Sequence, residues 1–451
     1  MHGQRSGRAG RGIAWACLAL LGGCLDAGEP ADPDADTLSL DADPDAASSD
    51  VPVGPPASWV WRVANLRDRD YANVVVELPD GGVLLAGFID GAGATSWVAA
   101  FGPDGSFRWG RRLPPVATWL SAGAPDPRGG VLLAGSDGLL LWLKEDGTVL
   151  SAGTVWPERT ARINTLAAVP GGGWLVAGAR VSEPTSLGDR AWVARLEADG
   201  TPVWSVLLPD LQPAPRGALA ATADGGAVVA SFRNTDGAAR LVRLAPDGSP
   251  RWQRRIPAAL GSPLSWYPSA AVAADGDVAL AYPDAGDIVV VRFADDGSLR
   301  WRARVGGAAY ERGGPLVGTP DGGLLVGGTR EDDGETTYDT WLAALDPAGG
   351  LAWERTVRSP RLEEVHDLRL TRDGGLLAAA GGCCTSIVLR LALDGAFDGA
   401  CGILQPTGAV AEVGTTWVAE EPPRAEPLDA TFHVQDLVLE PDAWVAEVLC
   451  D

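Results

Sequence analysis

A short hairpin motif that recurs along the chain limits the possible folds more than any other feature. In its clearest copy an apolar strand ends at Leu196, an Asp-Gly turn follows at Gly200, and Trp204 stands four residues after that glycine. The same spacing joins four further pairs: Gly105 and Trp109, Gly248 and Trp252, Gly297 and Trp301, and Gly349 and Trp353. Asp-Gly supplies the positive φ angles that tight hairpin turns require, so each copy predicts two antiparallel strands.

A second hairpin signal, usually Asp-Gly-Gly, sets the length of the repeat. Its copies start at Asp80, Arg128, Gly171, Asp224, Asp275, Asp321 and Asp373, which lie 43 to 53 residues apart. Two hairpins in a period of this length are typical of a propeller blade, in which four antiparallel strands form one sheet. The sequence therefore predicts an all-β fold, a seven-bladed β-propeller with four-stranded antiparallel blades over residues 59–400.

The two ends of the repeat region predict how the ring closes. The segment from Trp59 to Val63 matches the fourth strand of a blade, with Trp59 in the register of Trp109 and no first three strands before it. The seventh unit has both turns but carries Gly399 where its Trp should stand. We therefore expect the N-terminal strand to complete the last blade, which removes free sheet edges. Eight blades are the alternative, if the C-terminal segment folds as a divergent blade.

The repeated Trp residues have a structural interpretation. One register contains Trp109, Trp204, Trp252, Trp301 and Trp353, and another contains Trp97, Trp192 and Trp341. Large aromatic side chains at equivalent places pack between neighbouring sheets, so we interpret them as core rather than as sugar-binding or quinone-stacking platforms. The second unit deviates, with Ser151 in place of the Trp.

Residues 1–23 predict an export signal. Three Arg residues precede the apolar run from Ile13 to Leu21, which is too short to span a bilayer. Leu21-Gly22-Gly23-Cys24 resembles the lipobox of bacterial lipoproteins, which implies cleavage before Cys24 and lipid attachment to its thiol. Leu25 follows the cysteine, which favours the outer membrane, with the protein facing the periplasm or the cell surface. Residues 24–58 are rich in Asp, Ala and Pro, and this composition predicts a disordered acidic tether.

The formal net charge of −23 argues against nucleic acid and anionic membrane surfaces as partners. Phosphate binding depends on clustered cations, and this chain has 36 basic against 59 acidic residues. We therefore expect membrane contact through the N-terminal lipid only, and a monomer.

The last segment, residues 401–451, lacks the turn signals of the repeat. Its short alternating runs predict a β extension of one or two strands lying against the ring. Four cysteines remain after export, and an oxidising compartment allows three pairings among Cys383, Cys384, Cys401 and Cys450. A disulfide between Cys401 and Cys450 would fix the C-terminal segment and leave Cys383 and Cys384 as a vicinal pair. The crossed pairings remain alternatives.

The connections between strands predict where ligands bind. Alternate connections of a four-stranded meander emerge on the same side, so the tight turns share one face, here called the turn face. The longer connections share the other, here called the irregular-loop face, and variable loops over a rigid scaffold are typical of binding surfaces. Candidate residues on the irregular-loop face are Trp119, Arg180, Arg190, Arg312, Asp332 and Asp333.

The innermost strand of each blade should enter from the irregular-loop face about seven residues before its glycine turn. This register predicts a polar lining of the central opening that consists of Asn73, Ser121, Asn164, Arg216, Tyr267 and His366. Such a set suits a small polar molecule or an ion. The alternative is that these side chains only bond blade ends and channel water.

The sequence contains few residue patterns that are typical of catalytic sites. The chain has three histidines, His2, His366 and His433, and no zinc-protease, phosphate-loop or dinucleotide motif. We therefore predict no catalytic residue, no metal site and no cofactor. Paired-carboxylate glycosidase chemistry stays open, although most Asp residues lie at turns, where they serve the backbone.

The repeat from Leu196 to Trp204 resembles the quinoprotein-like (PQQ-like) propeller repeat and is similar to propeller lipoproteins of Gram-negative bacteria. Quinoprotein dehydrogenases of this fold have eight blades and a calcium-bound cofactor, and Cys383-Cys384 is the one feature here that resembles them. The outer-membrane assembly lipoprotein of the superfamily implies instead a non-catalytic binding or scaffold module, with an envelope protein or a saccharide as partner. A quinone-dependent dehydrogenase or a polysaccharide-active enzyme is the alternative, and a purely structural envelope component is the third possibility.

Overall fold

The structure, a computed structural model, describes most of the repeat region and the strands of the C-terminal segment. The described ranges are 58–64, 69–90, 95–114, 119–155, 161–180, 190–232, 238–256, 268–307, 309–331, 338–358, 364–382, 385–397, 404–405, 410–414, 419–421, 426–427, 432–434, 440–442 and 445–450. Cys24, Tyr267, Asp332, Asp333, Cys383, Cys384 and Cys401 lie outside them, and so do residues 1–57, which include the predicted signal and tether.

Seven antiparallel sheets contain the repeat units, one unit to a sheet. Blade 1 contains β2 (Arg69–Glu77), β3 (Val83–Asp90), β4 (Thr95–Phe101) and β5 (Phe107–Arg112), and blade 2 contains β6 (Leu120–Pro125), β7 (Val131–Gly135), β8 (Leu139–Leu143) and β9 (Val149–Val155). Blade 3 contains β10 (Ala161–Ala168), β11 (Trp174–Arg180), β12 (Arg190–Leu196) and β13 (Pro202–Leu208), and blade 4 contains β14 (Leu219–Ala221), β15 (Ala227–Phe232), β16 (Ala239–Leu244) and β17 (Pro250–Ile256). Blade 5 contains β18 (Ser269–Val272), β19 (Val278–Asp284), β20 (Asp287–Phe293) and β21 (Leu299–Gly306), and blade 6 contains β22 (Tyr310–Gly318), β23 (Leu324–Glu331), β24 (Asp339–Leu345) and β25 (Leu351–Val357). Blade 7 contains β26 (Glu364–Leu370), β27 (Leu376–Gly382), β28 (Thr385–Leu391) and the N-terminal strand β1 (Trp59–Ala64).

The first strands of the blades contact one another in sequence around the ring, and β2 also contacts β26. The predicted seven-bladed, all-β propeller is therefore confirmed. Within the described residues the helical content is one 3₁₀ turn, Ser136–Gly138. No helix in the described part of the chain is long and apolar enough to cross a membrane.

The N-terminal strand closes the ring as the sequence predicts. β1 pairs antiparallel with β28, and Trp59 stands opposite Arg390 just as Trp109 stands opposite Ala100 in blade 1. The indole of Trp61 stacks on that of Trp59 at 3.5 Å and contacts the turn of blade 1 at Gly105.

The C-terminal segment forms a belt of seven strands around the ring. The belt consists of β29 (Leu404–Gln405), β30 (Val410–Gly414), β31 (Ala419–Glu421), β32 (Glu426–Pro427), β33 (Phe432–Val434), β34 (Glu440–Asp442) and β35 (Val445–Cys450). Each strand pairs with the outermost strand of one blade, in the order 6, 5, 4, 3, 2, 1 and 7. The expectation of one or two added strands is therefore wrong, because every blade receives a fifth strand. Strands this short can form by pairing with the edge strand of a blade that has already folded. They do not require a hairpin-turn motif in their own sequence.

The repeated Trp residues join neighbouring blades, as the core interpretation predicts. The Nε1–H of Trp204 donates to the carbonyl of Pro246 at 2.7 Å, and its ring covers the positive-φ Gly248 in the turn of blade 4. Equivalent bonds run from Trp109 to Glu145, from Trp252 to Asp295, from Trp301 to Pro347 and from Trp353 to Leu393, at 2.7 to 2.9 Å. Each indole thus fixes the turn of the following blade.

The seam between blades 2 and 3 uses a different indole. Ser151 of blade 2 cannot fill the Trp position, and the buried Trp174 of β11 in blade 3 donates its Nε1–H to the carbonyl of Ala198 at 3.4 Å. Ala198 precedes its turn glycine by two residues, like Pro246. An indole from within blade 3 therefore satisfies the carbonyl that a Trp of the preceding blade satisfies elsewhere.

Candidate functional site

Four of the six residues predicted to line the central opening occupy β-bulges. The ladders between first and second strands skip Asn73 in blade 1, Ser121 in blade 2, Asn164 in blade 3 and His366 in blade 7. A bulge leaves one residue out of the ladder and re-aims its side chain, so these four residues depart from the alternation of the strands that contain them.

Three of these side chains connect each blade with the next. The Nδ2 of Asn73 donates to the carbonyl of Leu120 at 2.9 Å, and the Oγ of Ser121 donates to the carbonyl of Ile163 at 2.5 Å. The Nδ2 of Asn164 donates to the carbonyl of Ala214, just before blade 4, at 2.8 Å. In each of these three residues one polar side-chain group is hydrogen-bonded across a blade boundary. Together the three bonds link blades 1 to 4.

Arg216 bridges the ring at the same level. Its Nη1 donates to the Oδ1 of Asn73 at 2.8 Å and lies 3.3 Å from the Nδ1 of His366. Burial and the nearby Arg216 lower the pKa of His366 to about 3, so its imidazole is neutral near pH 7 and Nδ1 can accept a hydrogen bond. One guanidinium group from blade 4 therefore reaches blades 1 and 7.

Two carboxylates beside His366 escaped the sequence prediction. Burial raises the pKa of Glu364, while the charges of Arg312 and Arg216 oppose that rise. Burial also raises the pKa of Asp367, which accepts hydrogen bonds from the amide of Val75 at 3.1 Å and from the Nε of Arg369 at 3.0 Å. Both residues lie in β26 with His366, and that shared strand is the signal that could have indicated them.

An aromatic stack lies on the irregular-loop face between blades 1 and 2. Tyr71 and Phe88 are cross-strand partners whose ring centroids are 4.5 Å apart at an interplanar angle of 9°. Trp119 stacks on the other side of Phe88 at 5.0 Å and 10°. The Trp119 side chain is 48% exposed. The candidate Trp119 therefore presents one open ring face, and its two supporting rings were not predicted.

The candidate Arg312 lies between two tyrosines on the same face. Its guanidinium carbon is 4.0 Å from the ring centroid of Tyr338 and 5.5 Å from that of Tyr310. Its Nη2 donates to Glu331 and to the hydroxyl of Tyr338, both at 2.9 Å. The candidate Arg190 is exposed at the start of β12 and donates to the carbonyl of Pro209. Arg180 ends β11 opposite Arg190.

Ion pairs within the protein lie on the opposite, turn face as well. The buried Arg243 pairs with Asp224 at 2.9 Å and with Asp295 at 2.7 Å. The buried Arg292 pairs with Asp275 at 2.6 Å and with Asp277 at 3.0 Å. These partners tie turns to strands, so their charges serve the fold.

One known family model matches part of the ring. Residues 189–388 match the family model described as outer membrane protein assembly factor BamB. This match and the seven-bladed ring support a PQQ-like, BamB-like type of β-propeller. No curated protein matches it at a significant level. Among residues that the structure describes, no cluster of three or more His, Cys, Asp or Glu side chains could hold a metal ion.

Several solved structures are similar to this chain. BamB from Moraxella catarrhalis is 14% identical, with 72% of this chain and 92% of that chain covered and a TM-score of 0.39. The WD40 propeller domain of Doa1 is 12% identical, with 74% and 97% covered and a TM-score of 0.48. Puromycin hydrolase is 17% identical, with 75% and 55% covered and a TM-score of 0.44.

Proposed function

We propose that the protein is a lipid-anchored, non-catalytic binding or scaffold module of the cell envelope that meets its partner through the irregular-loop face. The observation that carries this proposal is the exposed, stacked ring of Trp119 together with the exposed Arg190 on the irregular-loop face. Exposed aromatic and Arg side chains are the residues that most often dominate binding interfaces.

The similarity to an assembly factor supports the same assignment, since a propeller that works as a scaffold needs a rigid ring and an accessible face. The lipobox around Cys24 supports anchoring in the outer membrane. An envelope protein or a saccharide is the partner that fits an acidic, monomeric module of this kind. The central opening, with Arg216 and His366, is a second contact region for a small polar ligand on the same side of the ring.

A photo-crosslinking experiment tests which face binds. A benzophenone amino acid is placed at Arg190 or Tyr338 on the irregular-loop face and, as matched controls, at Phe107 or Val203, which are exposed near the turn face. Irradiation of intact cells should give discrete crosslinked envelope species from the first pair only. Crosslinks from the second pair alone would refute the assignment. Cys24→Ala should in addition move the protein from the membrane fraction to the soluble fraction.

A further inference from the structure

The aromatic stack on the irregular-loop face is held rigidly at its exposed end. The amide of Trp119 donates to the Oγ of Ser136 at 2.8 Å, and the amide of Ser136 donates to the carbonyl of Trp119 at 3.0 Å. The next amide, that of Leu120, donates to the Oγ of Ser96 in blade 1 at 3.0 Å. The backbone of Trp119 is thus fixed to both blades, while Phe88 supports one face of its ring.

This geometry determines the shape of ligand that the ring can meet. The ring of Trp119 lies parallel to Phe88 and offers a flat face. A flat, immobile aromatic face is complementary to the C–H face of a sugar ring, which carries a small positive charge toward the negative face of the indole.

A hydrogen-bond acceptor lies beside the platform in the chain. Asp137 directly follows Ser136, and its φ of 56° together with the φ of 69° at Gly138 forms the Asp-Gly hairpin turn between β7 and β8. A carboxylate can accept hydrogen bonds from neighbouring sugar hydroxyls.

We propose that Trp119, supported by Phe88 and Tyr71 and accompanied by Asp137, forms a saccharide-binding platform. The ligand class is a neutral oligosaccharide whose pyranose ring stacks on the indole. This assignment rests on the proposed function, in that it names the chemistry of a ligand on the same face.

Isothermal titration calorimetry with cellohexaose, maltohexaose and chitohexaose tests the platform. The full chain should bind at least one of these probes, with an affinity that changes little between 50 mM and 500 mM salt. Trp119→Ala should weaken binding about tenfold or more, and Trp119→Phe should retain part of it because a ring remains. Asp137→Asn should weaken binding to a smaller extent. Phe107→Ala, which removes an exposed ring from another part of the surface, should bind as the unmodified chain does.

Two results would overturn the assignment. The first is no binding of any probe at millimolar concentration, or equal affinities for the unmodified chain and Trp119→Ala. The second is binding of hexa-arginine instead, abolished by salt, which would indicate a cation site. Circular dichroism of each variant separates lost binding from lost fold. Crosslinking from Arg190 and Tyr338 does not use Trp119, so it can succeed where the saccharide assay fails, and the two proposals fail separately.

Discussion

The guanidinium group of Arg216 donates a hydrogen bond of 2.8 Å to the Oδ1 of Asn73, although the two residues belong to blades 4 and 1. The same nitrogen lies 3.3 Å from the Nδ1 of His366 in blade 7. Among the strands that the structure describes, no ladder joins blade 4 to blade 1 or blade 7. Side-chain contacts across the opening therefore connect parts of the ring that the sheets leave separate.

Arg216→Ala should lower the free energy of unfolding by about 1 to 3 kcal/mol, because Asn73 and His366 each lose a partner in a largely buried place. Urea denaturation followed by circular dichroism measures the change. Lys144→Ala is the matched control, since it removes one positive charge from an exposed position. Equal midpoints for the two variants would show that the bridge contributes nothing.

Glu311→Gln should stabilise the protein at alkaline pH. The carboxylate of Glu311 is fully buried, and burial raises its pKa to about 7, although Arg330 at 3.6 Å opposes the rise. Between pH 4.5 and 7 the folded chain holds a proton that the unfolded chain has released, so stability falls as the pH rises through this window. We expect the variant to gain about 1 to 3 kcal/mol at pH 8 and almost nothing at pH 4. The check is urea denaturation at both values, and a gain independent of pH would contradict it.

Gly248→Ala should destabilise the seam between blades 3 and 4. Gly248 has a φ of 83°, and an added Cβ would lie 2.9 Å from the ring of Trp204. Gly276→Ala is the control, since Gly276 has a φ of 87° but no atom within 4 Å of the added Cβ. Both variants carry the strain of the left-handed conformation, about 1 kcal/mol. The thermal midpoint of Gly248→Ala should be lower still, and equal midpoints would mean that the indole contact is unimportant.

The oxidised protein should contain a bond between Cys401 and Cys450. Cys401 precedes β29 on blade 6 by three residues in the chain, and Cys450 ends β35 on the neighbouring blade 7. Such a bond would join the two ends of the belt and leave Cys383 and Cys384 to pair with each other. Mass spectrometry of a non-reduced proteolytic digest should detect a peptide pair linked through Cys401 and Cys450. Peptides that link either of these residues to Cys383 or Cys384 would contradict the pairing.

Much of the ring could be predicted because its signals are local. An Asp-Gly turn and a Trp four residues later require only a few neighbouring residues, and they repeat at nearly fixed distance. The alignment of Trp59 with Trp109 identified the closing strand for the same reason. The bulges at Asn73, Ser121 and His366 all lie seven residues before the glycine turn of their blade, which is the spacing used to choose them from the sequence.

The features that escaped prediction depend on contacts between distant segments. The belt strands have two to six residues each, too few to show a pattern of their own. Trp174 replaces the indole missing at Ser151 only because β11 lies beside the turn that contains Ala198. The stack of Tyr71, Phe88 and Trp119 needs two blades in place before its rings meet. The roles of Glu364 and Asp367 depend on burial, which their spacing in the sequence does not reveal.

The direction of the belt has a consequence for biosynthesis. β29 to β35 visit the blades in the order 6 to 1 and then 7, opposite to the order in which the blades are made. No blade can acquire its fifth strand before β29, the first belt strand, has left the ribosome or the export channel. A chain interrupted before that point carries seven uncovered outer edges, and exposed edges invite pairing with other chains. The belt strands, made after all seven blades, thus cover the outer edge of every blade.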